Sequence, residues 1–188
     1  MKFLTFAFLL LLAVSLFSQT LVERPFLVRA ETTTFDPYSG MTHVCVLVYP
    51  DGKYRLEKSY QDLNGNKPGD HVYIDNLPPD SLKQLQSALD DSKLAAIKTA
   101  DPKGGIVQNM DTLMVSVPRE HQLQNISFMN AAERRPYEKD LKPLMTWMKD
   151  VQKRKVQPAK NEATNNCAAP QVLYRNEMPT GGGANPPK

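Results

Sequence analysis

The sequence predicts an α+β fold in which an antiparallel sheet of about five strands carries two main helices packed on one face. Segments with the two-residue periodicity of strands come in runs, and each run precedes a segment with helical periodicity. The composition, 41% hydrophobic and 23% charged over 188 residues, is that of one globular domain. Residues 156–188 are rich in Pro, Gly and Asn, which predicts a disordered C-terminal tail.

The first hairpin is predicted around a tight turn at residues 50–53. Residues 44–49 are apolar on both faces, which is typical of a buried central strand. The turn sequence Pro-Asp-Gly-Lys is favourable because Pro fixes its φ angle and Gly accepts a positive one. Residues 54–58 then alternate as the returning strand, and residues 71–74 predict a short third strand.

A capped helix and a second hairpin follow. Asp80 or Ser81 can cap a helix that continues through residues 82–89, where leucines recur at helical spacing. Residues 113–117 and 123–129 both alternate in character, so they predict two further strands joined by a turn.

The last predicted element is a helix within residues 137–155. Its apolar stripe includes Leu141, Leu144 and Met148. Pro143 lacks a backbone donor, so the helix either starts shortly before it or is kinked there. A start near Asp140 is the favoured interpretation.

Residues 1–18 have the pattern of a secretory signal peptide. Lys2 gives a positive start, residues 3–17 are apolar apart from Thr5 and Ser15, and polar residues follow. The apolar run is short for a membrane span, which needs about 20 residues. We therefore expect a secreted or periplasmic protein with no permanent membrane span after cleavage; a retained N-terminal anchor is the alternative.

The remaining chain divides into an arm, a domain and a tail. Residues 19–40 show little periodicity and predict an N-terminal arm, although apolar residues near Leu27 could add an edge strand. Residues 41–155 predict the single α+β domain. Residues 156–188 bury too little apolar surface to offset the entropy of ordering, so a flexible tail is expected, apart from a patch at 172–174 that could dock.

Two cysteines lie in a chain that is expected to reach an oxidising compartment. A disulfide between Cys45 and Cys167 would close a very long loop, which by chain entropy stabilises the fold by about 4 kcal/mol. Their positions argue against assuming it, because Cys45 lies in an apolar strand and Cys167 in the expected tail. Pairing and two free thiols therefore stay equally open here.

Several classes of function are disfavoured. The net charge of +3, lowered by one to +2 without Lys2, is too small for a nucleic acid binder. His43 and Cys45 share one face of a strand and could offer two metal ligands, but no H-E-x-x-H or C-x-x-C pattern supplies the rest. No G-x-S-x-G, S-x-x-K or phosphate-binding glycine loop is present. We expect no enzymatic activity, cofactor, metal or nucleic acid partner.

The best candidate site in the sequence is a surface of aromatic and basic residues on the second and third predicted strands. It would comprise Tyr54, Arg55, Lys58, Tyr60 and Tyr73. If the helices cover one face of the sheet, these side chains could bind a protein or a glycan on the other. The alternative is that they are ordinary strand residues packed beneath the arm or the tail.

One resemblance accompanies these patterns. Residues 46–57 combine a strand, a Pro-Asp-Gly turn and a returning Arg-x-Glu strand, and residues 77–85 supply a capped helix. Together they resemble small secreted bacterial α+β proteins of unassigned function. The resemblance implies a bacterial exported domain and carries no catalytic residues.

The leading hypothesis is a non-enzymatic exported domain that binds another exported protein or an envelope component through its sheet face. The alternative is a small inhibitor or propeptide-like module that inserts a loop, residues 62–70 or 101–109, into an enzyme's cleft. A third hypothesis, an enzyme whose site is assembled from scattered residues, is the weakest because the motifs above are missing.

Overall fold

A computed structural model describes residues 25–66, 69–98 and 110–172 of the protein. Its strands are β1 (Val28–Asp36), β2 (Gly40–Val48), β3 (Lys53–Gln61), β4 (His71–Asn76), β5 (Asp111–Pro118) and β6 (Leu123–Phe128). They form an antiparallel sheet in the order β4-β3-β2-β1-β5-β6. The predicted α+β class with an antiparallel sheet is confirmed, with one strand more than expected.

The predicted turn between β2 and β3 is present. The amide of Gly52 donates to the carbonyl oxygen of Tyr49 at 3.0 Å, and the Asp51 carboxylate accepts the amide of Lys53 at 3.0 Å. Gly52 has a φ angle of 85°, which L side chains rarely adopt. The turn chemistry therefore fixes the register of the hairpin.

The additional strand is β1, which lies in the middle of the sheet. Val28 pairs with Val48 of β2, and Ala30 pairs with both Val46 and Val115. The structure thus replaces the expected arm with a central strand over Val28–Asp36. Residues 19–24 of that arm, like the expected signal peptide, lie outside the described residues.

The helices are α1 (Pro79–Leu89), α2 (Ser92–Ala96), α3 (Ala131–Arg134) and α4 (Glu138–Gln152), with a 3-10 turn at Arg135–Tyr137. Helix α1 begins at Pro79, a residue whose fixed φ angle suits the first turn, and no side chain caps it. Helix α4 begins at Glu138, so Pro143 lies inside the helix rather than at its first turn.

Helices α1 and α4 bury their apolar stripes against one face of the sheet. Leu85 of α1 and Leu144 of α4 are fully buried in the same cluster as Val46 and Leu56. Burial of each such side chain contributes about 1.5–3 kcal/mol. The expected arrangement of two main helices on one face is therefore observed.

The chain after α4 passes round the edge of the sheet and returns across the opposite face. Arg154 binds the Asp75 carboxylate at 2.9 Å, and the amide of Ala159 donates to the carbonyl oxygen of Val72 at 2.7 Å on edge strand β4. We call residues 156–172 the strap. A flexible tail was expected from residue 156, but residues 156–172 are held on the sheet instead. Residues 173–188 lie outside the described part.

Candidate functional site

The sheet has two different faces. Side chains of alternate residues point to opposite sides, so one face packs on α1 and α4 and the other lies beneath the strap. We call these the helix face and the strap face. The helix face is mainly apolar, whereas the strap face carries charged side chains in the centre of the sheet.

Two Arg-x-Glu sequences occupy matching positions on the strap face. Arg29 and Arg55 lie on either side of Leu47, and Glu31 and Glu57 lie on either side of Cys45. Each glutamate pairs with the arginine two residues before it; for Arg55 and Glu57 the separation is 2.6 Å. These pairs compensate two carboxylates whose residues are only 6% and 1% exposed.

The same side chains hold the strap. Arg29 Nε donates to the carbonyl oxygen of Cys167 at 3.2 Å. Arg55 binds the Glu162 carboxylate at 2.8 Å and the carbonyl oxygen of Ala163 at 2.7 Å. The remaining oxygen of Glu57 accepts the amide of Asn165 at 2.9 Å. The carbonyl oxygens of Ala163 and Cys167 and the amide of Asn165 are therefore satisfied by side chains of the sheet.

The two cysteines meet at the centre of this contact. Cys45 and Cys167 are fully buried free thiols in one apolar cluster with Phe26 and Leu47. The neighbouring Cys167 thiol, together with burial, raises the pKa of Cys45. Cys167 was expected in a flexible tail, but the structure places it in the same cluster as Cys45.

Beside the strap, the strap face forms a pocket of about 330 Å³. Its lining residues are Arg29, Glu31, Thr33, Met41, His43, Ser59, Tyr60, Gln61 and Asn166. Nε2 of His43 lies 3.9 Å from the Glu31 carboxylate. The neighbouring His43 ring and the charge of Arg29 outweigh burial and hold the pKa of Glu31 below its ordinary value.

The five residues of the predicted aromatic and basic surface do not share an open face. Tyr54 is buried in the core beneath the helices, and its ring lies 5.6 Å from the Arg154 guanidinium. Lys58 donates to the carbonyl oxygen of Gln152 at 2.9 Å and lies 5.5 Å from the centre of the Tyr73 ring. These residues pack as strand residues on the helix face.

The other two members of that set lie next to the strap face. Arg55 binds the strap, as described above, and Tyr60 borders the pocket. The hydroxyl of Tyr60 donates to the carbonyl oxygen of Ser39, which fixes the ring beside the turn from β1 to β2. Two of the five predicted residues are therefore near the candidate site, and three are structural.

Sequence reasoning missed Arg29 and Glu31 because they fell within the expected arm. The available signal was the repeated pattern: Arg29-Ala30-Glu31 and Arg55-Leu56-Glu57 place the same charges at the same spacing. Each apolar middle residue points to the helix face, so each charged pair is directed to the other side. The repetition therefore indicates two strands whose charged side chains make the same kind of contact, here with the strap.

Over the described ranges, no group of three or more His, Cys, Asp or Glu side chains could hold a metal ion. Within the same part of the chain, none of the helices combines the length and apolar character needed to cross a membrane. No known protein family matches the chain, and none of the curated proteins is similar to it.

Proposed function

We propose that this protein is an exported, non-enzymatic domain that binds another exported protein or an envelope component. The observation that carries the proposal is the pocket of about 330 Å³ that lies beside the strap on β1, β2 and β3. The signal-peptide pattern of residues 1–18 supports export. The binding surface proposed here is the pocket, and it replaces the aromatic and basic surface expected from the sequence.

The lining of the pocket suits recognition of a polar surface. Thr33 and Ser59 supply hydroxyl groups, Gln61 supplies an amide, and Met41 adds an apolar contact. Binding sites commonly combine a few placed polar groups with apolar surface in this way. Glu31 adds a fixed negative charge beside Arg29, which orients a partner carrying complementary dipoles.

The electrostatics favour binding over acid–base catalysis. A carboxylate that acts as a general acid or base near neutral pH usually has a raised pKa. The pKa of Glu31 is instead lowered, because His43 and Arg29 stabilise its charged form. Glu31 therefore stays charged near neutral pH, which suits a fixed charge in a binding site.

A matched pair of arginine substitutions tests the pocket. Ser59→Arg should fill it with a long charged side chain, whereas Gln84→Arg adds the same side chain on exposed α1. Each tagged protein is recovered from the cells that produce it, and co-purifying molecules are quantified by mass spectrometry. We expect one companion to be enriched with the wild type and Gln84→Arg and reduced at least about tenfold with Ser59→Arg. Equal enrichment on all three proteins, or no specific companion, would contradict the proposal.

The inhibitor-like alternative rests here on the loop after β3, because the other expected loop, residues 101–109, lies outside the described residues. The Asp62 carboxylate accepts the amides of Asn64 and Asn66 at 2.9 Å each, which makes the loop rigid around Leu63. Leu63 is 56% exposed, as an inserted contact residue would be. The substitution Leu63→Asp, added to the same experiment, should abolish enrichment if this loop is the contact and leave it unchanged if the pocket is.

A further inference from the structure

We propose that Cys45 and Cys167 form an intramolecular disulfide in the exported protein, and that this bond fastens the strap across the sheet. The inference rests on the proposed function in one respect only, since it takes from it the oxidising compartment in which such bonds persist. The burial of both thiols in one cluster does not depend on the compartment.

The geometry favours this pairing over any other. The chain contains two cysteines, and both are fully buried in the cluster that includes Phe26 and Leu47. They share this small cluster although 122 positions separate them along the chain, and Cys167 Sγ lies 4.0 Å from the carbonyl oxygen of Arg55 on the strand next to Cys45. Burial at this depth leaves neither thiol accessible to a second protein molecule while the strap is in place.

The position of Cys167 is set by contacts other than its own side chain. Arg29 donates to the carbonyl oxygens of both Asn166 and Cys167, at 3.0 and 3.2 Å. The amide of Asn165 is held by Glu57 at 2.9 Å. Asn166 and Cys167 have φ angles of 56° and 45°, a region that non-glycine residues occupy only when their surroundings enforce it. The strap therefore brings this thiol to Cys45 before any bond exists.

The step is a thiol–disulfide exchange with an external disulfide, either glutathione disulfide or a disulfide oxidoreductase of the compartment. One cysteine, as the thiolate, attacks the external disulfide and releases its first thiol. The second cysteine attacks the resulting mixed disulfide, which releases the second external thiol. The two protein thiols lose two electrons and two protons, and the external disulfide gains them as two thiols.

The surroundings of Cys45 determine when this can happen. Burial, the neighbouring thiol and the charge of Glu31 all disfavour the thiolate, although Arg29 opposes them. With the strap docked, attack on an external disulfide is therefore slow. Oxidation should occur while the chain folds or when the strap has opened, and closure of the strap then protects the bond from reductants.

The experiment uses the full chain, denatured and reduced, then refolded by dilution into a buffer of reduced and oxidised glutathione. Free thiols are blocked with iodoacetamide in denaturant, and the intact mass is measured before and after reduction. We expect a monomer lighter than the reduced chain by two hydrogen atoms, which takes up iodoacetamide at both cysteines only after reduction. Its urea midpoint should lie above that of the reduced protein by on the order of 1 M.

Two variants complete the test. The variants Cys45→Ser and Cys167→Ser cannot form the internal bond. Neither variant should therefore show a higher urea midpoint in the oxidising buffer than in the reducing one. Alkylation of both wild-type thiols without reduction, or disulfide-linked dimers in place of the monomer, would overturn the inference. Refolding takes place outside the cell, so it tests the disulfide independently of export. If the bond forms on refolding but the chain in cells is uncut and retained, export is refuted and the disulfide is not.

Discussion

Glu31 and Glu57 are carboxylates in a position that a sheet normally gives to apolar side chains. An unpaired charge at such depth would be strongly destabilising, so each residue depends on its arginine. Arg29 and Arg55 in turn donate to backbone carbonyl groups of the strap. A single kind of side-chain pair thus stabilises the buried charges and fixes the chain segment that covers them.

Acid should remove the stability that Glu31 supplies. In the folded protein the neighbouring His43 ring, followed by the charge of Arg29, holds the pKa of Glu31 below its ordinary value of 4.5. The unfolded state therefore binds this proton more readily. The contribution is fully present above pH 4.5 and is lost as the pH falls through the lower, folded pKa.

The variant Glu31→Gln checks this because its side chain does not titrate. Urea unfolding from about pH 7 to about pH 3 should show a steeper acid decline in the free energy of unfolding for the wild type. The difference between the two proteins should be largest at neutral pH and should shrink in acid. A difference that is constant over the whole range would show that Glu31 titrates as it does in the unfolded chain.

At the scale of elements, β1 shows which strands the sequence could and could not reveal. Strands β2 and β3 were predictable because an apolar run, a Pro-Asp-Gly turn and strict alternation agree with one another. In β1, Arg29 and Glu31 suggest solvent exposure, yet in the fold they lie beneath a distant segment. A local sequence pattern cannot show that a strand will be buried by a segment more than a hundred residues away in the chain.

The connection from β1 to β2 depends on Gly40. Its φ angle is 115°, and a Cβ placed there would lie 2.2 Å from the carbonyl oxygen of Gln61. Backbone must therefore move to accept any side chain, since the closest atoms are not part of a flexible group. The turn that positions Ser39 beside Tyr60 is consequently specific to glycine.

Replacing this glycine should destabilise the whole domain. We expect Gly40→Ala to lower the free energy of unfolding by about 1–3 kcal/mol or more, through backbone strain and the clash with β3. Gly69→Ala is the matched control, because no atom lies within 4 Å of a Cβ at that position. Urea denaturation of both variants gives the comparison; equal stabilities would show that the turn relaxes without cost.

At the scale of the molecule, the strap makes the C-terminal segment part of the fold. The composition of residues 156–172 predicts disorder, because few of its side chains can be buried. Its ordering instead comes from polar contacts with Arg55, Glu57 and Arg29, together with burial of Cys167. Such contacts require partners that only the assembled sheet supplies, and composition does not contain that information.

The same reasoning explains what could be predicted of the candidate site. Arg55 and Tyr60 were identified from their residue types, and Cys45 and Cys167 as candidates for pairing. The pocket itself was not predictable, because it brings together side chains of three strands, one of them the unexpected β1, and Asn166 of the strap. The part of the proposed binding surface that Asn166 supplies is therefore present only while the strap is docked.

Hydrogen–deuterium exchange of the strap tests this account most directly. The amides of Ala159, Asn165 and Ala168 donate to Val72, Glu57 and Asn165 respectively. Peptides that contain them should exchange at least about tenfold more slowly than the same sequence in an unfolded chain. Exchange at the unfolded rate, while β2 and β3 remain protected, would show that the strap is not held on the sheet and would contradict the account.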